Sequence, residues 1–280
     1  MANKPVYLNG HYLPIEDAHI SVLDRGFLFG DGVYEVIPAY QGRLFELKAH
    51  MARLDNSLAG IRIGNPHSLD EWRDIFAPLL QDGTDQYIYL QITRGAAAKR
   101  DHLFPEQVAP TVFALSSPIP PYPARASGIK AVCLEDSRWQ HCHIKAITLL
   151  ANVLLRQEAF EHGGAEAILI KNGFVTEGSS SNVFAVIDGI VLTPQLNPGI
   201  LDGITRQVIL KIAEANHIPC HAQAISIDDL KKADEIWIAS SIREIVPVVA
   251  LDDQTIGGGK PGPVWQTVNR LFQAYKHSFR

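Results

Sequence analysis

The sequence predicts an α+β chain folded in two domains, and three observations carry that expectation. The run SSPIPPYPARASG at 116–128 holds four prolines, which forbid a helix and favour an extended connector. Short alternating apolar runs, many joined by Asn-Gly or Asp-Gly, recur on both sides of it. Only a few longer stretches have helical spacing, and no GxGxxG marks a doubly wound sheet. The expected division is a small α+β domain over 1–118, a connector over 119–124 and a larger second domain over 125–280.

In the first domain, PVYLNGHYLPI reads as a hairpin turning at Asn9-Gly10. Helical spacing covers 47–61 and again 69–80, and 86–93 and 111–116 are strand-like. In the second domain, GIKAVCLED at 128–136 is a strand and ITLLANVLLRQEAFEHGG a helix stopped by paired glycines. Hairpins are expected to turn at Asn172-Gly173 and Asp188-Gly189, with a helix over 204–216 and strands over 235–239 and 245–251. So many short strands imply a partly closed, largely antiparallel barrel.

Bulk composition narrows the partners. With 46% hydrophobic and 20% charged residues, a net charge of -5 and a pI of about 6.1, the chain resembles an ordinary soluble protein. It offers no electrostatic reason to bind nucleic acid or an anionic membrane. The start of the chain lacks a signal peptide's basic and apolar runs, and no apolar stretch reaches a membrane-spanning length. Cys133, Cys142 and Cys220 form no CxxC pair, so reduced thiols and a cytoplasmic location are expected. GGGKPGP at 257–263 lacks the Ser or Thr of a phosphate loop and reads as a surface turn. His141-Cys142-His143 lacks a second ligand cluster, so no metal is expected.

Three local features carry chemistry, each with an ordinary reading beside it. Lys145 sits in WQHCHIKAITLL; if this segment is extended, His141, His143 and Lys145 share one face and Cys142 and Ile144 the other. An amine among apolar neighbours suits Schiff-base chemistry, whereas most lysines are solvated surface groups. Glu177, in TEGSSSNVF, can hold a pyridine nitrogen protonated, or it can simply end a hairpin strand capped by serines. In PGILDGITR, Asp202 can cap a helix whose first amides, on Ile204 and Thr205, form an anion site; plain capping explains the run equally well.

Taken together, EGSSSNVF from Glu177, Val191-Leu192-Thr193 and LDGITR from Leu201 resemble the signature of class IV aminotransferases, the fold-type IV pyridoxal-phosphate enzymes. DRGFLFGDGVYEVI, from Asp24 to Ile37, extends the likeness over essentially the whole chain. The resemblance implies a small α+β domain joined to a larger pseudo-barrel domain, with pyridoxal 5'-phosphate lying between them in a homodimer. It implies that Lys145 forms the Schiff base and moves a proton between Cα and C4′, and that Glu177 pairs with the pyridine nitrogen. Arg53, the amides of Ile204 and Thr205, and Ser240 and Ser241 would hold the phosphate. Leu201 would pack on the cofactor ring and Ser179, Ser180 and Ser181 would lie near substrate and cofactor, with Arg138 behind the lysine.

Those residues are shared by D-amino-acid, branched-chain and amine transaminases and by aminodeoxychorismate lyase, so the substrate carboxylate must decide between them. Arg100 and His102 in TRGAAAKRDHLFP resemble the Arg-x-His carboxylate trap of D-amino-acid transaminases, contributed there by the neighbouring subunit and working with a tyrosine, here Tyr34. The stretch before Arg100 is one residue longer than in that pattern, which leaves the placement of the pair open. The implied reaction is ping-pong transfer from a D-amino acid, D-alanine foremost, to a 2-oxo acid such as 2-oxoglutarate. A non-catalytic pyridoxal-phosphate carrier is the alternative of another class, though storage alone needs no electron sink.

Overall fold

The computed structural model describes residues 5–279; residues 1–4 and 280 of the expected domains lie outside the described residues. The described chain divides into two compact units, one formed by residues 5–120 with Ile144–Thr148 and Phe279, the other by Pro121–His143 and Leu149–Ser278. The lysine segment therefore belongs to the first unit, whereas the sequence reading put it in the second domain.

The first unit is a six-stranded antiparallel sheet in the order His11–Pro14, Pro5–Leu8, Thr111–Pro118, Gln86–Thr93, Gly32–Tyr40, Arg43–Leu44. Its first hairpin turns where expected, with Asn9 and Gly10 both at positive φ, 47° and 94°. A type I′ turn demands that conformation at both positions. Along Gln86–Thr93 the buried residues alternate, Ile88, Leu90 and Ile92 facing the core. Two helices cover that face. Leu47–Gly60 contributes Leu47, Met51, Leu54 and Leu58, and Leu69–Phe76 contributes Trp72, Ile75 and Phe76. The second begins at a capping box in which Ser68 and Glu71 satisfy each other's backbone amides.

Ile144 and Ala146 join this core. The segment around them is not the strand that alternation allowed: it runs through turns and makes a single bridge, Ala146 to Val33. Two amides fix it there, Tyr34 N–H donating to Lys145 C=O at 3.0 Å and Ile147 N–H to Gly32 C=O at 3.0 Å.

The second unit carries nine strands. The main path runs Cys220–Ala222, Ile190–Thr193, Asn182–Ile187, Glu235–Ser240, Glu244–Leu251, Ile129–Glu135, Glu166–Lys171, Phe174–Gly178, with Gln254–Thr255 on the side. Ile168, Val183, Ile236 and Val246, from four different strands, meet in one core, so the sheet curls into a half-barrel. The antiparallel expectation holds only in part. Ile129–Glu135 runs parallel to both neighbours. Its connection to Glu166–Lys171 passes through the helix Leu150–Glu161, and a crossover of that kind yields parallel strands. Both expected hairpins turn at Asn172-Gly173 and Asp188-Gly189, all four residues at positive φ. The helix Pro263–His277 closes the unit; Glu235 caps it by accepting from Val264 and Trp265 N–H at 2.8 Å each. No helix among the described residues is long and apolar enough to cross a membrane.

Candidate active site

In the first unit the site grows from the strand Gly32–Tyr40. Period-two alternation places Glu35 on the same face as Val33 and Ile37, so a carboxylate enters the core with 0% exposure. The helix Leu47–Gly60 answers it from one turn, with His50 and Arg53 three residues apart. Arg53 donates from Nε and Nη2 to the two Glu35 oxygens at 2.7 and 2.8 Å, and His50 Nδ1 lies 2.8 Å from Oε2. Burial pushes the Glu35 carboxyl up, yet Arg53 and His50 outweigh it and hold it well below the usual carboxylate range. His50 is held neutral chiefly by burial, with Arg53 and Lys145 adding to the effect against the pull of Glu35. Its Nε2 is buried with no hydrogen-bond partner.

Lys145 stands on the same wall. Its backbone N–H donates to Ser57 Oγ at 3.1 Å, and its Nζ lies 4.1 Å from the centre of the Tyr34 ring. The root of the side chain is thus pinned between buried Ile144 and Ala146, while the amine rests on an aromatic face.

Arg100 and His102 lie on an exposed loop, and both reach one ring: Arg100 Cζ and the His102 ring stand 4.8 and 5.3 Å from the Phe29 centroid. Buried Arg25 holds this loop from beneath, donating to the carbonyls of Asp101, His102 and Leu103 while its Nε pairs with Asp31 at 2.8 Å. Arg94 grips both Asp31 oxygens, at 2.8 and 2.9 Å, and stacks 3.7 Å over Phe104.

In the second unit Glu177 is buried at the end of Phe174–Gly178. Its Oε1 accepts from Arg138 Nη1, and Oε2 from the Leu201 amide at 3.1 Å and Asn182 Nδ2 at 3.3 Å. Burial opposes the charge on Arg138, but Asp136 and Glu177 together hold its pKa raised. Asn182 also donates to Leu201 C=O at 2.9 Å, so one amide ties the carboxylate to the loop that leads into the helix Ile204–Ala215.

Space makes Gly203 necessary there. Its φ of -70° suits any residue, but a Cβ would lie 1.9 Å from Asn182 Oδ1. Gly203→Ala is expected to destabilise the protein by about 1–3 kcal/mol through overpacking, read as a lowered denaturant midpoint with unchanged slope.

The helix Ile204–Ala215 has Gly203 at its N-cap and no capping side chain. This corrects the expectation for Asp202, which stands one residue too early. Its carboxylate instead accepts from Gln207 at 2.9 Å and pairs with Arg206 at 3.5 Å. The amides of the first turn, Ile204 and Thr205, lack both intrahelical acceptors and a capping side chain. Ser240 and Ser241 are half-buried at the end of Glu235–Ser240. The hydroxyls of Ser179, Ser180 and Ser181 all turn to one acceptor, the carboxylate of Glu166.

Sequence reasoning missed Glu35, His50, Arg25 and Glu166. Strand parity with Val33 and Ile37 was a usable signal for Glu35. Cys142, by contrast, gains no nucleophilic character: burial raises its pKa, and Sγ lies 3.2 Å from the Trp139 carbonyl. Among the described residues no cluster of three His, Cys, Asp or Glu could hold a metal.

Relatives and solved structures place this arrangement in context. The chain is 39% identical over 277 residues to a D-alanine aminotransferase of Staphylococcus haemolyticus, covering 98% of each chain. It is 40% identical over 271 residues to one of Bacillus licheniformis, covering 96% and 95%. The branched-chain amino acid aminotransferase of Escherichia coli superposes with a TM-score of 0.88 at 28% identity, over 99% of this chain and 95% of that one. A hypothetical aminotransferase from Mycobacterium tuberculosis, in its alpha-ketoglutarate and PMP bound form, superposes with a TM-score of 0.86 at 25% identity, over 99% and 100%. The profile of amino-transferase class IV matches residues 32–251, from the strand that carries Tyr34 and Glu35 to the last long strand of the half-barrel. The chain therefore belongs to the class IV aminotransferase family.

Proposed function

We propose that the chain is a pyridoxal-phosphate-dependent transaminase of D-amino acids, moving the amino group of D-alanine to 2-oxoglutarate. Two observations fit the cofactor to the residues present. In the first unit the charges of Arg53 and Lys145 both act on His50, whose buried Nε2 has no hydrogen-bond partner. In the second, an uncapped helix start presents amides suited to a phosphate. When bound, pyridoxal 5'-phosphate supplies an electron sink for negative charge developing at the substrate Cα.

The chain's own groups do the rest. Lys145 Nζ would hold the cofactor and, as a free amine, would move the proton at the substrate Cα. Its pinned backbone fixes the face from which that proton moves. Glu177, ion-paired with Arg138, would hold the pyridine nitrogen protonated. Arg53, the Ile204 and Thr205 amides, Ser240 and Ser241 would bind phosphate, and Leu201 would back the ring. Glu35 fixes the Arg53 fork from behind. Arg100 and His102, with Tyr34, take the substrate carboxylate by charge-assisted hydrogen bonds. The observation that carries the D-specific reading is the pairing of Arg100 and His102 over Phe29, on a loop anchored by Arg25.

The active form is a homodimer in which Arg100 and His102 serve the partner's site. Exposed apolar side chains support this: Phe27 and Leu103 near that loop are 69% and 77% exposed, and Leu150 and Phe160 on one helix are 72% and 70% exposed. Patches of that kind are usually covered by another chain. Three free cysteines fit a cytoplasmic location.

The test is the absorbance of the purified holoenzyme before and after adding D-alanine or, separately, L-leucine. Loss of the long-wavelength cofactor band with D-alanine alone is the expected result. Loss with L-leucine alone would move the assignment to a branched-chain enzyme. A protein that cannot be loaded with pyridoxal phosphate would overturn the reading.

A further inference from the structure

Glu166 opens the strand Glu166–Lys171 fully buried, and more donors surround it than one carboxylate neutralises. Ser179 donates to Oε1; Ser180 and Ser181 donate to Oε2 at 3.2 Å each. Two guanidiniums reach the same Oε2, Arg156 through Nη1 at 3.1 Å and Arg243 through Nη2. Two cations against one anion leave an excess positive charge. Arg125 braces the turn that carries Arg243, donating from Nε to the Arg243 carbonyl at 3.2 Å, while its own charge pairs with Glu244 at 3.6 Å.

The excess has a direction. Arg243 Nη1 is buried and has no hydrogen-bond partner. A buried charged donor without an acceptor is costlier than a neutral one, so its persistence calls for an explanation. Arg243 Nη2 also donates to Ser180 Oγ at 2.9 Å, and Ser180 is exposed, so the cluster opens to solvent on that side. Asn152 holds the serine loop in place, donating to Ser179 C=O at 2.8 Å. Arg243 itself follows Ser240 and Ser241 in the turn that leads into Glu244–Leu251.

We propose that Arg243, oriented by Glu166 and Ser180 and reinforced by Arg156, forms a second carboxylate site. It takes the distal carboxylate of a dicarboxylic 2-oxo acid or amino acid. The inference rests on the transaminase reading above and names the substrate class that the site prefers. A guanidinium whose one edge is held by Glu166 offers its remaining donors in a fixed plane, the geometry a carboxylate matches best. Pyruvate and D-alanine, with a single carboxylate, have nothing to place there.

The experiment compares 2-oxoglutarate with pyruvate as amino acceptor for the aminated holoenzyme, in wild type and in Arg243→Gln. The expected result is a fall in kcat/KM for 2-oxoglutarate of about tenfold to a hundredfold, with pyruvate changed less than about threefold. Arg243→Lys keeps a cation against Glu166, guards against misfolding, and is expected to lose the same selectivity by a smaller factor. A parallel fall with both acceptors, or none with either, would overturn the proposal. Calorimetric binding of glutarate and butyrate to the holoenzyme needs no turnover. Tighter binding of glutarate, lost in Arg243→Gln, supports the site, and equal binding by wild type refutes it. A wild type inactive with both acceptors that still binds glutarate selectively would refute the transaminase reading alone.

Discussion

Lys145→Ala is expected to reduce transamination of D-alanine by about 10⁴-fold or more while leaving the fold in place. The contacts that hold this segment are made by its backbone and its neighbours: Lys145 N–H on Ser57, Lys145 C=O under Tyr34, and Ile144 and Ala146 in the core. The side chain itself contributes the Nζ contact with the Tyr34 ring, worth about 0.5–2 kcal/mol. Unfolding should therefore shift little while chemistry is lost, because the amine that would hold the cofactor and move the Cα proton is gone. Lys145→Arg separates charge from reactivity. It keeps a cation on the ring but cannot attach the cofactor, and it should be as inactive as the alanine variant. Measured turnover near wild type in either variant would remove Lys145 from its role.

The residues that make this first prediction were legible unequally. All three Asn-Gly and Asp-Gly hairpins could be read directly, because a type I′ turn needs positive φ at two adjacent positions and few residue pairs tolerate it. The amphipathic helix Leu47–Gly60 was equally plain. Lys145 could be named but not its setting, since its partner Tyr34 lies more than a hundred residues earlier and a single bridge replaces the expected strand. Asp202 was misplaced by one position, because the exact start of a helix, and with it the capping position, is blurred in sequence. Glu166 was invisible for another reason. A lone carboxylate before an apolar run looks like a solvated strand end, and the two arginines that neutralise it come from a helix and a distant turn. Arg25 shows the same limit: its value lies in three carbonyls of a loop some seventy-five residues away.

Glu35→Gln should produce the largest loss of stability, about 3–5 kcal/mol, because it leaves Arg53 buried without its counter-charge. For a chain of this length that corresponds to a fall in Tm of roughly 10 °C. The cost arises from the unpaired cation, so Glu35→Gln combined with Arg53→Met should be less destabilised than Glu35→Gln alone; simple additivity would show that the pair does not act as a unit. The pH profile carries the same signature. Glu35 has a depressed pKa in the folded chain, so its contribution is present above the ordinary value of about 4.3 and is lost as pH falls below it. His50 is also depressed, held neutral by burial, so its contribution is present above about 6.5 and declines as pH drops. Stability should thus begin to fall below pH ~6.5 and fall more steeply below pH ~4.3. Chemical denaturation across that range in wild type and Glu35→Gln tests it: the variant should lose the steeper lower limb and keep the shallower upper one. A variant retaining the lower limb unchanged would mean that other carboxylates, and not the Glu35–Arg53 pair, set the acid limit of the fold.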